Sequence, residues 1–384
     1  MIRHLIAFLF ICMLPGLLPV TSSSRSAAPE PTVADVAVEK GLAFLRSSQN
    51  PDGSWSSGPV ANGNNRQRAG WVPANLPPIS RNGHPVITAV AVMAFLSCGK
   101  VPGEGKDGAV VERGVKYVLS RQKPNGLIVE PNDGSIEMYS HGICTLMLAE
   151  VVGMTSGRTA EELRKKLELA VRVILQGQRQ TGVDAGGWRY RVQGLDADLS
   201  VTGWQLLALR AAKNVGCDVP AEKIRKAVEY VRRCYDPDSQ GFRYQVNGPV
   251  TIPCTGTGIL ALELCGKEYH RCEEVLRGGD FILRNPLAVN RQHFFYGVYY
   301  TSQGMFQIGG NSWTTYRESL HQLLLNELGP TSDGSWTGRG GWDDDRYGPN
   351  YCTAMAILSL AVEYRFLPIY QRFEEPVERD ANDP

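Results

Sequence analysis

Two aspartates, Asp196 and Asp198, stand two residues apart directly ahead of an apolar run that begins at Leu199. Neighbouring carboxylates raise one another's pKa, the condition under which an aspartic acid keeps a proton to give to a substrate. Asp198 and Ser200 are also residue types that cap a helix by accepting its first free N–H groups. A second acidic group, Asp343, Asp344 and Asp345, lies in a Gly-rich stretch with Trp342, Tyr347 and Tyr351. Carboxylates beside aromatics suit a cation or a sugar, or acid–base work on a glycosidic bond, with Asp344 the candidate acid. A solvated turn is the plainer explanation.

Asp198 has counterparts along the chain. Apolar segments opening at Thr88, His141, Thr202, Thr255 and Thr353 align on one pattern, and a degenerate sixth spans Tyr296 to Ile308. Four residues before the shared Thr or His stand His84, Glu137, Asp198 and Thr251. Glu137 and His141 are four apart, so both project from one helix face. His84, Glu137, His141, Asp198 and nearby Cys254 together offer mixed N, O and S ligands of the kind zinc takes. No compact metal-spacing motif accompanies them, and the alternative is caps and polar groups around a wet opening. His84, Glu137, His141, Trp204, Tyr296, Trp342 and Tyr351 are the substrate-binding candidates; His293 joins Tyr296 on the same rim.

The elements that would position these residues alternate in kind. Between the apolar segments lie charged, amphipathic ones: Val33 to Gln49, Arg113 to Gln122, Leu169 to Gln178, Lys226 to Tyr235, a stretch from Arg277, and another from Leu320. Most end in Gly- and Pro-rich turn chemistry, such as Asn50 to Trp55 and Asp333 to Trp336. A helix apolar nearly all round is buried, and one with a charged face lies at the surface. Six of each kind, in hairpins of about 55–60 residues, predict two concentric rings closed into one domain. Strand signals are absent.

The phrase from Lys40 to Trp55 resembles the Gln-Trp repeat of squalene–hopene and oxidosqualene cyclases. The wider pattern, over roughly residues 33 to 370, resembles the (α/α)6 toroid shared with protein prenyltransferase β-subunits. The resemblance implies an all-α toroid in which the Gln side chain and Trp ring tie neighbouring outer helices together. It also implies that an isoprenoid is bound or cyclised in a central cavity, the Asp-x-Asp-Asp centre protonating an alkene. Asp196 and Asp198 match that motif, Leu199 replaces its last Asp, and the zinc-ligand spacing of the prenyltransferases is missing. The repeat is a scaffold signature, so it speaks to fold more than to function.

Composition bounds the rest. The 384 residues are 43% hydrophobic and 21% charged, with net charge +1, which supplies no footprint for nucleic acid. Residues 1–28 carry a basic start, a short apolar core broken by Pro15 and Gly16, and small residues to Ala28, as a signal peptide does. Uncleaved, the same segment would be an anchor and the only membrane contact. The expected organisation is a signal at 1–28, one toroid domain at 29–370 and a polar tail at 371–384, exported to the periplasm or outside. Buried free cysteines act as small hydrophobes, and the Cys265–Cys272 pairing stays open. The long connection from Ser56 to Gly83, with Trp71, suits a rim or lid. No phosphate loop, zincin or nucleophile-elbow motif occurs. Three functions follow: an isoprenoid enzyme needing no cofactor, or zinc at most; a non-catalytic exported binding or scaffold toroid; and a carbohydrate-active toroid.

Overall fold

The computed structural model describes residues 30–58, 83–130, 136–338 and 342–371, the last stretch without the side chains of 342–345. The expected signal at 1–28, nearly all of the expected tail and most of the Ser56–Gly83 connection lie outside these residues.

Twelve helices form six hairpins among the described residues. The inner set is α2 (Pro85–Ser97), α4 (Glu137–Gly153), α6 (Leu199–Asn214), α8 (Ile252–Cys265), α10 (Phe294–Ile308) and α12 (Trp342–Leu360). The outer set is α1 (Val33–Ser48), α3 (Gly108–Ser120), α5 (Gly157–Gly177), α7 (Ala221–Arg233), α9 (Glu273–Arg284) and α11 (Gly310–His321). Inner helices touch in the order α2, α4, α6, α8, α10, α12 and back to α2, which closes the ring. In α2 every residue from Ile87 to Ser97 is buried, whereas α7 buries only Ile224, Ala227, Val228, Tyr230 and Val231. The expected apolar inner ring and amphipathic outer ring are thus present. Small residues bring inner helices together: a Cβ on Gly256 would meet the backbone of Tyr300 and Thr301 on α10.

The loops that join outer to inner helices interlock. Gln49 Nε2 donates to Val110 O of α3 at 2.9 Å, Gln122 Nε2 to Lys166 O of α5 at 2.8 Å, and Gln178 Nε2 to Lys223 O of α7 at 2.8 Å. Gly53, Gly126, Gly186 and Gly334 follow, each with φ near +90° (89°, 95°, 91° and 90°). A Cβ at these glycines would collide with the carbonyl of Arg113, Leu169, Lys226 or Lys40 on the next outer helix. Lys40 belongs to α1, so the last loop closes the outer ring.

The tryptophan rings lie against the neighbouring outer helix as expected, where a Cβ on Gly114 of α3 would meet Trp55 and one on Gly41 of α1 would meet Trp336, and their N–H groups add a second tie. Trp55, Trp188 and Trp336 donate Nε1–H to Leu45, Ile174 and Leu324 carbonyls of their own outer helices, at 2.8, 2.7 and 2.8 Å. Their backbone N–H groups bond Thr88, Thr202 and Thr353 Oγ1 on the following inner helices, at 3.0, 3.0 and 2.9 Å. Gln and the Trp ring therefore join neighbouring outer helices, and the Trp N–H groups also join outer helix to inner helix within a hairpin.

The ring is sealed at the C-terminal ends of the inner helices. The segment Leu367–Tyr370 is buried there and contacts α4 and α6. Gln307 Nε2 donates to Tyr370 O at 3.1 Å, the Tyr370 and Tyr299 hydroxyls bond each other, and Ile369 N donates to Glu150 Oε2 at 3.2 Å. Glu150 is 1% exposed, and burial pushes its carboxyl up to about 8, with the Ile369 N–H acting against the shift.

Candidate functional site

Three of the four aligned rim residues are helix caps. Asp198 Oδ1 accepts from Val201 N at 2.8 Å, Thr251 Oγ1 from Cys254 N at 3.2 Å, and His84 Nδ1 from Val86 N at 3.2 Å. Glu137 instead accepts from Val192 N at 2.9 Å and so fastens the loop before α6 to the start of α4. Each residue answers the free N–H groups that a helix start or an adjoining loop leaves over.

His141 proves to be a framework residue. It is fully buried; Nδ1 accepts from Ile128 N at 3.1 Å and Nε2 lies 2.9 Å from Ala170 O. The pattern assigns the Nε2–H tautomer, and burial pushes the imidazole down to about 4, so it is neutral. Thr88, Thr202, Thr255 and Thr353 each accept the corresponding loop N–H, and His141 does the same at that position. Cys254 is buried, with its thiol pushed up to about 12 by burial.

These observations correct the zinc set. With both ring nitrogens of His141 in use, the Cys254 thiol protonated and Asp198 beside a cation, His84, His141, Asp198 and Cys254 do not fit the metal. Among the described residues no group of three or more His, Cys, Asp or Glu side chains could hold one. None of the eight described cysteines forms a disulfide, Cys265 and Cys272 included.

What gathers around Asp198 is a cluster of tyrosines and one arginine. Asp198 is 0% exposed, and burial pushes its carboxyl up to about 7 against the pull of Val201 N–H and Arg189. Its Oδ2 lies 3.1 Å from Arg189 Nε, out of hydrogen-bonding alignment, and the Tyr244 hydroxyl also acts on the carboxyl as a donor. Arg189 Nη1 bonds Asp196 Oδ2 at 2.7 Å, so the Asp-x-Asp pair straddles one guanidinium. That guanidinium lies 4.6 Å from the centre of the Tyr190 ring and 5.7 Å from that of Tyr244. The Tyr190 and Tyr244 hydroxyls are 2.5 Å apart, and Tyr190 stacks on Tyr139 at 5.9 Å. The Tyr139 hydroxyl bonds Ser200 Oγ, which lies 2.8 Å from the Tyr296 hydroxyl. Residues from α4, α6, α10 and the loops before α6 and α8 thus share one half-buried mouth.

Behind the mouth the axis is filled. Trp204 on α6 stacks on Tyr299 of α10 at 5.4 Å and 8°, and meets Tyr300 edge-on at 5.2 Å. Helices α6 and α10 are not ring neighbours, since α8 stands between them, so these rings meet across the interior. Trp204 and Tyr299 are 1% exposed and Tyr300 0%. Trp204, a binding candidate by sequence, is therefore core. Tyr296 links core to mouth. Tyr351 is buried against Tyr347, their ring centres 5.2 Å apart, and His293 is exposed in left-handed backbone with φ +60°. The side chains of Trp342, Asp343, Asp344 and Asp345 lie outside the described residues.

The sequence reading missed Arg189, Tyr190, Tyr244, Tyr139 and Glu150. A signal existed for three of them: Trp188-Arg189-Tyr190 repeats as Phe242-Arg243-Tyr244, each after a Gly. Arg243 also pairs with an acid, though an upstream one, Asp236, at 2.7 Å.

No family model and no curated protein matches the sequence. Solved structures do. The α-1,6-mannanase GH76A of Salegentibacter sp. HEL1_6 aligns with a TM-score of 0.62 at 11% identity, over 86% of this chain and 98% of that one. A D-mannose isomerase aligns at 0.61 and 11%, over 88% and 99%. The type II terpene cyclase MstE from Scytonema aligns at 0.55 and 13%, over 87% and 99%. Identity this low carries no activity across, and the chain is, by fold, an (α/α)6 toroid.

Proposed function

We propose that this protein is an exported, non-catalytic toroid that binds a small molecule at its tyrosine-lined mouth. The observation that carries the reading is the stack of Trp204 on Tyr299 across the ring, which occupies the space an isoprenoid chamber would need. Asp198 supports it: one oxygen caps α6 and the other faces Arg189 rather than an apolar hollow. Structural neighbours handle small molecules, the mannanase being in complex with α-1,6-mannotetrose, which agrees with a small ligand here.

One observation favours a second reading, acid catalysis on an isoprenoid. A carboxyl held up to about 7 by burial keeps a proton available near neutrality. Incubating the full chain with a linear isoprenoid such as geranylgeraniol and analysing the products separates the two. Binding without turnover predicts unchanged substrate. Cyclised product formed by the wild type and abolished in Asp198→Asn, which keeps a capping side chain, overturns the proposal.

A further inference from the structure

We infer that the C-terminal segment Leu367–Tyr370 is a hinged stopper, latched by one proton on Glu150, that swings off the floor in alkaline solution while the ring stays folded. The device is independent of what the mouth binds. Its parts are a hinge, a seat and a latch.

The hinge is Arg365. It holds left-handed backbone at φ +56°, which a residue with a side chain rarely adopts. It directly follows Tyr364, whose hydroxyl bonds Asp35 of α1. The chain is thus tied to the ring up to Tyr364 and changes direction one residue later. Phe366 stays 48% exposed, with its ring against Gly99. In the seat, ring side chains grip the segment by its backbone. Gln307 Nε2 donates to Tyr370 O at 3.1 Å, and Glu150 Oε2 accepts from Ile369 N at 3.2 Å. Packing under the segment is incomplete. A hollow of about 10 Å³ lies among Gln303, Leu358, Leu367 and Tyr370, and the buried Gln303 Oε1 has no hydrogen-bond partner.

The latch is Glu150, and no cation answers it. Helix α2 carries no charged residue. Arg164 of α5, Arg210 and Lys213 of α6 and Arg365 at the hinge exert no pull on the carboxyl, which feels burial and the Ile369 N–H alone. The titratable groups that face it are the Tyr299 phenol of α10 and the Tyr370 phenol of the segment; burial raises both, so both stay neutral. Protonated, Glu150 is a neutral group in this seat. Ionised, it is a lone buried charge with one N–H for a partner, and turning the segment out to water relieves that cost. The closed form binds the proton more tightly, so closure is favoured fully below pH 4.5 and weakens as pH rises to about 8.

The test is hydrogen exchange followed by NMR on the full chain from about pH 5 to 9, wild type against Glu150→Gln, whose amide still accepts from Ile369. Taking the ratio of the two at each pH cancels the chemical exchange rate. For the Ile369 and Tyr370 amides, the wild-type rate relative to the variant should climb about tenfold per pH unit between pH 5 and 8, then level off. Amides of α6 and α8, and those just before Arg365, should show no such climb. A flat ratio in the segment would remove the latch. An equal climb in the segment and in α6 would mean that the whole ring opens, and would remove the hinge. Should Glu150→Gln not fold, the wild type alone decides between the same outcomes, segment against α6, once each amide's intrinsic rate is divided out.

Discussion

The two ends of the ring use similar residues to opposite effect. At the mouth, the Tyr139, Tyr190, Tyr244 and Tyr296 hydroxyls bond one another and Ser200 while their residues remain only partly buried. At the floor, Tyr299, Tyr370 and Gln307 make a comparable network, but Tyr370 arrives on the chain's own C-terminal segment and everything is buried. The difference lies in what covers the helix ends. The floor is stoppered by a segment continuous with α12, so its polar groups serve stability. The mouth is built by loops from several hairpins, and its polar groups bond across them while their residues stay partly exposed.

Breaking the floor should cost most. Tyr370→Ala removes a buried ring and the partner of the Tyr299 hydroxyl, and should destabilise the protein by about 3–5 kcal/mol in urea unfolding. A loss near zero would mean the segment does not hold the floor. Glu150→Gln comes next and depends on pH. The folded carboxyl, raised from 4.5 to about 8, binds its proton more tightly than the unfolded one. Its contribution is therefore fully present below pH 4.5 and is lost as pH rises to 8. Wild type should lose about 3–4 kcal/mol between pH 5 and 8 relative to Glu150→Gln, whose neutral amide still accepts from Ile369. Parallel pH–stability curves would contradict this.

Smaller effects sharpen the contrast. His141→Thr restores the residue found at the corresponding place in four other hairpins but forfeits the bond to Ala170. It should cost about 1–3 kcal/mol without altering ligand binding; a change in binding would return His141 to the site. Tyr190→Phe should shift stability by about 1 kcal/mol, the worth of its one bond to the Tyr244 hydroxyl at a partly exposed position. A larger drop would make the mouth as structural as the floor.

The fold was legible because periodicity and turn chemistry repeat. Six charged and six apolar helices, the Gly-Trp turns and the shared Thr or His position all report backbone geometry that recurs every hairpin. The site was less legible because it is assembled across hairpins. Asp198 was visible as an acid or a cap, but its partner Arg189 and the Tyr190–Tyr244 pair come from two different loops, and nothing in linear order brings them together. The role of Trp204 also inverted. An aromatic at the centre of a toroid reads as a binding wall, and only the stack on Tyr299 reveals a core residue. Glu150 was hidden inside an apolar helix, where its burial depends on the distant Ile369.

The central claim is that the axis is filled and the mouth does the binding, and Trp204→Ala tests it most directly. Urea unfolding of this variant should show a loss of about 3–5 kcal/mol in stability, as for emptying a packed core, and incubation with geranylgeraniol should leave the isoprenoid unchanged. Stability unchanged within about 1 kcal/mol, together with loss of ligand binding or gain of isoprenoid turnover elsewhere in the ring, would contradict it.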